Sequence, residues 1–159
     1  MIVVGSNEVD VKIFYNSKNP LPFYAKEGDS GVDLYADLGD VEGVHIEPRQ
    51  TLLIPTGIYS EIPNGYEIQI RSKSGLAIND NLCVLNAPGT VDAVYRNEWK
   101  VILHNAGEKP YFIKNGQKIA QAVLCPVYKI KWKAARLEDL SETDRGLGGF
   151  GSTGLNKEW

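Results

Sequence analysis

Tyr66-Glu-Ile-Gln-Ile-Arg-Ser-Lys-Ser-Gly-Leu-Ala77 alternates apolar and polar side chains as far as Ile70 and then changes character. The two-residue period is that of a half-buried strand, with Tyr66, Ile68 and Ile70 on one face and Glu67 and Gln69 on the other. At its end Arg71, Ser72, Lys73, Ser74 and Gly75 gather two cations, two hydroxyls and a glycine. That composition reads either as a cradle for phosphate oxygens or as an exposed basic turn. From Gly75 to Asn81 the pattern allows one short turn of helix.

The same period recurs on both sides. Val11, Ile13 and Tyr15 alternate about Lys12, and Ile130 and Trp132 alternate with Lys129, Lys131 and Lys133, so each segment is predicted to be a strand. Turn signals separate such segments at Asn19-Pro20, Pro63-Asn64-Gly65, Pro88-Gly89, Ala106-Gly107 and Asn115-Gly116. Many short strands with little helix predict an all-β jelly roll or barrel; only Arg136 to Thr143 has a further, weak helical look. The composition changes once, in Arg145-Gly-Leu-Gly-Gly-Phe-Gly-Ser-Thr-Gly154. A run so rich in glycine cannot order itself through its own side chains, so residues 1–144 are expected to form the body and 145–159 a flexible arm that a ligand or partner orders.

At 159 residues the chain suits one core, and 43% hydrophobic with 23% charged residues is the balance of a globular protein. A net charge of −3 supplies no broad positive field, which disfavours a nucleic-acid polymer as partner but not a small anionic nucleotide. Cys83 and Cys125 with His45 and His104 offer no zinc-ligand spacing. No segment has the pattern of a signal peptide or a membrane-spanning helix, and a cytoplasmic location with reduced thiols is expected.

Asn86-Ala-Pro-Gly-Thr-Val-Asp-Ala-Val-Tyr-Arg96 reads as a hairpin, with its turn at Pro88-Gly89 and with Asp92 and Tyr95 on the return arm. Asp92 taken alone is far more often a turn-capping or surface residue than a catalytic base. Gly146 to Gly151 spells G-x-G-x-x-G, yet no βαβ unit surrounds it, and a dinucleotide site of that kind is rejected.

Taken together and in order, these segments resemble the trimeric dUTP diphosphatase (dUTPase) family. The five matching motifs are Ser30-Gly-Val-Asp-Leu-Tyr-Ala36, Ser72-Lys-Ser-Gly-Leu-Ala77, Gly89-Thr-Val-Asp-Ala-Val-Tyr-Arg96, Gly116-Gln-Lys-Ile-Ala-Gln121 and Arg145 to Gly154. The resemblance implies a distorted jelly-roll β-barrel, a homotrimer with active sites between subunits, and an arm from one chain closing another's site. It implies hydrolysis of dUTP to dUMP and pyrophosphate, limiting uracil in DNA and supplying dUMP for thymidylate synthesis. Asp92 would polarise a water for in-line attack on the α-phosphorus. Asn86, Gly89, Thr90 and Val91 would bind uracil, Tyr95 would lie against the deoxyribose, and Phe150 would stack on the base. Arg71, Lys73, Ser74, Gly75 and Gln121 on the body, with Arg145, Gly151, Ser152 and Thr153 on the arm, would bind phosphate. Asp33 would orient neighbours without touching the reacting atoms. Mg²⁺ would be held through the substrate's phosphates and not by a cluster of protein ligands.

The chain departs from the family's motifs where Lys73 and Lys118 replace Arg, and where Asn81 and Asn97 replace Gly. Asn is the side chain that best tolerates a left-handed backbone, so both turns are expected to survive. A dCTP deaminase of the same fold would need a catalytic glutamate and a cytosine pocket, of which the sequence shows neither. A non-catalytic dUTP-binding module leaves Asp92 and Tyr95 unexplained.

Overall fold

Where apolar residues recur every second position the chain extends and pairs. The computed structural model describes residues 8–149. Along them run β1 (Lys12–Tyr15), β2 (Val32–Tyr35), β3 (Gly43–Ile46), β4 (Thr51–Pro55), β5 (Ile58–Glu61), β6 (Tyr66–Arg71), α1 (Ser74–Asp80), β7 (Leu82–Val84), β8 (Gly89–Val91), β9 (Lys100–Asn105), β10 (Tyr111–Lys114) and β11 (Lys118–Pro126). No helix among the described residues is long and apolar enough to cross a membrane.

All pairings are antiparallel. A four-stranded sheet has the order β2-β11-β6-β8, a three-stranded sheet β4-β9-β7, and two ribbons pair β1 with β5 and β3 with β10. The period of two decides what is inside: Ile68 and Ile70 of β6 are buried between half-exposed Glu67 and Gln69, and Val101 and Leu103 of β9 are fully buried. Leu34, Ile46, Ile113 and Ile119 join them, so the inner faces of both larger sheets and of the β3–β10 ribbon share one apolar core. The polar side chains inside are all satisfied. Asn105 is fully buried, donates to the carbonyls of Ile46 (3.0 Å) and Lys109 (2.8 Å), and accepts from the Gly107 N–H (2.9 Å).

Four expectations need correction. The segment Asn86–Arg96 is not a two-stranded hairpin: β7 pairs with β9 and β8 with β6, because buried Leu82 and Val84 draw β7 into one sheet and Val91 draws β8 into the other. Ile130 and Trp132 are not in a strand and are 69% and 84% exposed. Alternation makes a strand only where a neighbour accepts its backbone hydrogen bonds, and the described residues provide none there. Asn97 is not left-handed, whereas Asn81 is, at φ 55° and ψ 28°, where it ends α1. The helix itself is longer than one turn, spanning Ser74–Asp80.

The chain divides after Tyr128. Within residues 129–149 the backbone forms a 3₁₀ turn at Leu137–Asp139, where the Arg136 guanidinium holds both Asp139 carboxylate oxygens at 3.0 Å. Turns also close from Gly146 N–H to Thr143 and from Gly148 N–H to Arg145.

Leu103 tests whether the core is as continuous as described. Leu103→Ala removes a fully buried side chain from the middle of β9, and denaturant unfolding is expected to show a loss of about 2–5 kcal/mol. A loss below about 1 kcal/mol would mean that the surrounding core does not close on it.

Candidate active site

Gly89, Thr90 and Val91 lie along β6 opposite Ile70, Gln69 and Ile68. Their pairing fixes one wall of a cavity of about 270 Å³. Asn86, Gly89, Thr90, Val91 and Tyr95, all expected to meet a base and sugar, line it together. Gly89 permits the approach of Asn86: a Cβ there would stand 3.2 Å from the Asn86 amide nitrogen and 3.5 Å from Ile70 Cβ. The volume lies at the lower bound for ligand cavities, about 300 Å³, and suits one flat ring better than a whole nucleotide.

The remaining walls escaped the sequence reading. Leu53 and Ile102, directly paired across β4 and β9, contribute a face with Val84 and Trp99, and Lys100 stands at the edge. A signal for them existed. In Leu52-Leu53-Ile54 and Val101-Ile102-Leu103 both phases of the strand are apolar, which marks strands covered on both faces.

Asp92 follows Val91 directly and is exposed, and none of the ion pairs among the described residues involves it. Its carbonyl accepts the Tyr95 N–H at 3.0 Å, so Asp92 to Tyr95 is one turn that carries both the expected base and the expected sugar contact. The Tyr95 hydroxyl donates to the Glu98 carbonyl at 3.0 Å.

A second group of expected residues gathers across β2, β11 and β6. Gln121 is the register partner of both Asp33 and Arg71, which sets the three side chains in a row on one face of the sheet. The Gln121 amide donates to the Ser72 carbonyl at 3.0 Å and holds the backbone where it leaves β6. Asp33 accepts from the ammonium groups of Lys73 and, at 2.7 Å, Lys118. Burial alone would raise the Asp33 pKa, but the hydrogen bonds and charges of Lys118 and Lys73 outweigh it and hold the carboxyl below its ordinary 3.8. The Lys118 ammonium is correspondingly stabilised, chiefly by its hydrogen bond to Asp33. Arg71 bends back along β6, with Nε and Nη2 donating to Gln69 Oε1 at 3.2 and 2.7 Å. Ser74 and Gly75 are exposed in the first turn of α1.

None of Arg71, Lys73, Ser74, Gly75 or Gln121 lines the cavity beside Gly89. A single chain therefore presents a base-sized slot and a cationic row as separate features. Arg145 is exposed within residues 129–149, and Phe150, Gly151, Ser152 and Thr153 lie outside the described residues. No group of three His, Cys, Asp or Glu side chains among the described residues is arranged to hold a metal ion. The one exposed carboxylate next to the slot, Asp92, could give a metal at most a single ligand, so the residues present fit a cation only if its other ligands come from elsewhere.

Comparison with known proteins agrees over nearly the whole chain. The dUTPase family model matches residues 17–154. The deoxyuridine 5'-triphosphate nucleotidohydrolase of Wolbachia sp. subsp. Brugia malayi is 47% identical over 92% of this chain and 94% of its own. That of Ehrlichia canis is 48% identical over 95% and 99%. Among solved structures, the Staphylococcus bacteriophage 80alpha dUTPase with dUPNHPP superposes with a TM-score of 0.80 at 25% identity, covering 92% of this chain and 99% of that one. The dUTPase of phage phi11, described with a structural Mg(II) ion, shares the fold at a TM-score of 0.71 and 22% identity.

Asp33 provides a test of the row. Its ion pairs stabilise the fold above the ordinary pKa of 3.8, and this contribution is lost as pH falls through the lowered native value. Asp33→Asn is expected to cost about 1–2 kcal/mol near neutral pH, with the gap to the parent closing on acidification below 3.8 when unfolding is followed by denaturant titration. A gap that does not change with pH would exclude this account.

Proposed function

The chain belongs to the dUTPase family and hydrolyses dUTP, and we propose that it does so by in-line attack of an Asp92-held water on the α-phosphorus, releasing dUMP and pyrophosphate. The observation that carries this reading is the joint lining of one ring-sized slot by Asn86, Gly89, Thr90, Val91 and Tyr95, with Asp92 next in the chain. Uracil enters the slot and pairs with the backbone of residues 89–91 and the Asn86 amide. A base with the wrong donor pattern leaves these groups unpaired, which is costly in a confined site. Tyr95 lies against the deoxyribose and leaves no room for a 2′-hydroxyl. Asp92 accepts the proton of the attacking water as the bond to the pyrophosphate oxygen breaks.

The triphosphate lies along the cationic row. Lys73 and Gln121, with Arg71, Ser74 and Gly75, hold it, and Asp33 keeps Lys73 and Lys118 aimed. Mg²⁺ bound through the phosphates supplies charge neutralisation of the leaving pyrophosphate. The working form is a homotrimer: the separation of slot and row within one chain suits a site completed by a second subunit, and exposed Phe14, Phe23 and Tyr24 offer apolar surface for association. On the same reading, residues 145–159 would serve as the arm that closes a neighbouring subunit's site, Arg145, Gly151, Ser152 and Thr153 meeting phosphate and Phe150 the uracil. The protein works in the cytoplasm, where the free thiols Cys83 and Cys125 remain reduced.

Asp92→Asn is expected to lower pyrophosphate release from dUTP with Mg²⁺ by about 10²–10⁴-fold while calorimetry still registers nucleotide binding. Release at the parent rate would remove Asp92 from the role of base. Deleting residues 145–159 is expected to leave a folded trimer by sedimentation with little turnover, and full activity of the shortened chain would end the arm's catalytic role.

A further inference from the structure

The turn that carries Asp92 and Tyr95 has little to hold it. Val94 is 80% and Tyr95 40% exposed, and of the turn's apolar side chains only Ala93, at its start, packs half-buried against the core. Its turn and side-chain hydrogen bonds close within residues 92–98: the Tyr95 N–H donates to the Asp92 carbonyl, the Arg96 guanidinium to the carbonyls of Ala93 (2.6 Å) and Tyr95 (3.1 Å), and the Glu98 N–H to Asn97 Oδ1 (2.8 Å). Beyond the small Ala93 contact, which lies next to the first of them, the excursion stands on two feet, Val91 in the β6–β8 ladder and Glu98.

The second foot is strongly fixed. One carboxylate oxygen of Glu98 accepts the backbone N–H groups of Thr56 (3.2 Å) and Gly57 (2.9 Å) in the corner between β4 and β5. The side chain is only 15% exposed, so these charge-assisted bonds act with little competition from water. Its other oxygen faces the Lys100 ammonium at 3.5 Å. The next residue extends the seam: the Thr56 hydroxyl donates to the Trp99 carbonyl (2.6 Å), the Trp99 N–H to Ile58 (2.7 Å), and the Trp99 indole N–H to Ser60 Oγ (3.1 Å). Gly57 is suited to this corner, at φ 71° with a Cβ position only 2.7 Å from the Asn16 carbonyl oxygen. The Glu98 carbonyl, held by this anchor, receives the Tyr95 hydroxyl at 3.0 Å.

We infer that Glu98 is a positioning residue for sugar selection: by clamping the 92–98 excursion to the Thr56–Gly57 corner it holds the Tyr95 ring at the mouth of the uracil slot, and with it the dUTP/UTP preference. The inference rests on the reading of Tyr95 as the deoxyribose contact. A ring that can swing away from the slot no longer opposes a 2′-hydroxyl, although the remaining walls, from β4, β6, β7, β8 and β9, stay in place. Loss of the clamp therefore acts on the choice of sugar more than on the choice of base.

The test compares kcat/KM for dUTP, UTP and dCTP in the full-length protein with Mg²⁺. In Glu98→Ala the dUTP/UTP ratio is expected to fall about tenfold or more while dCTP stays rejected as in the parent. Glu98→Gln, which keeps an oxygen to accept both N–H groups, is expected to retain most of the ratio. Tyr95→Phe, which loses only the hydroxyl that meets the Glu98 carbonyl, is expected to lower the ratio in the same direction, and Glu98→Ala to add little on top of it. A Glu98→Ala protein with the parent ratio, a Glu98→Gln protein as permissive as Glu98→Ala, or fully multiplicative effects with Tyr95→Phe would each overturn the inference. If Glu98→Ala does not fold, the Glu98→Gln and Tyr95→Phe proteins decide: retention in the first with loss in the second supports the clamp, and the converse defeats it. A parent protein that turns over UTP as readily as dUTP would instead defeat the reading of Tyr95, and the clamp's role with it.

Discussion

Everything at the candidate site depends on three residues of backbone pairing. Gly89, Thr90 and Val91 lie on the edge of β6, and this short ladder sets the floor of the slot and the point from which the chain departs toward Asp92. A three-residue strand is weak by itself. It persists because Val91, Ile68 and Ile70 beneath it are buried in the common core, so hydrophobic contact holds in register what hydrogen bonds alone would let slip. The chemistry is hung on the outer side of a pairing whose inner side is structural.

The electrostatics follow a similar division of labour. Asp33 is less a participant than an organiser: two lysines from different parts of the chain, Lys73 after β6 and Lys118 at the start of β11, converge on it. Without the carboxylate the two like charges would repel and their flexible stems would spread over many rotamers, a dispersal opposed to holding a polyanion in one pose. The price is an acidic group within the row, tolerable because the neighbouring cations outnumber it.

Much of this was legible in order along the chain, because strand period, turn residues and motif chemistry are local properties. The β6 alternation was readable from neighbours a few residues apart, whereas the meeting of Asn86, Gly89 and Tyr95 and the left-handed Asn81 were expected only from the family's motifs. What escaped was pairing. Nothing within Leu82–Val91 tells β7 to join β9 and β8 to join β6, and nothing within Lys129–Lys133 tells Ile130 and Trp132 that the described chain offers no strand beside them. The clamp on Glu98 was hidden for the same reason: its donors are the backbone amides of Thr56 and Gly57, some forty residues away, and a backbone amide leaves no trace in a list of side chains.

The slot borrows its walls from two different sheets, Ile70 and Gly89 from one, Leu53 and Ile102 from the other. Its width is therefore not a local dimension but the gauge of a seam, set by how the interior seats one sheet against its neighbour. Substitutions in the interior that never reach the slot can shim that seam open or shut, because a close-packed core passes on a change of volume. The fit of whatever enters the slot is in this sense a mechanical tolerance inherited from the fold.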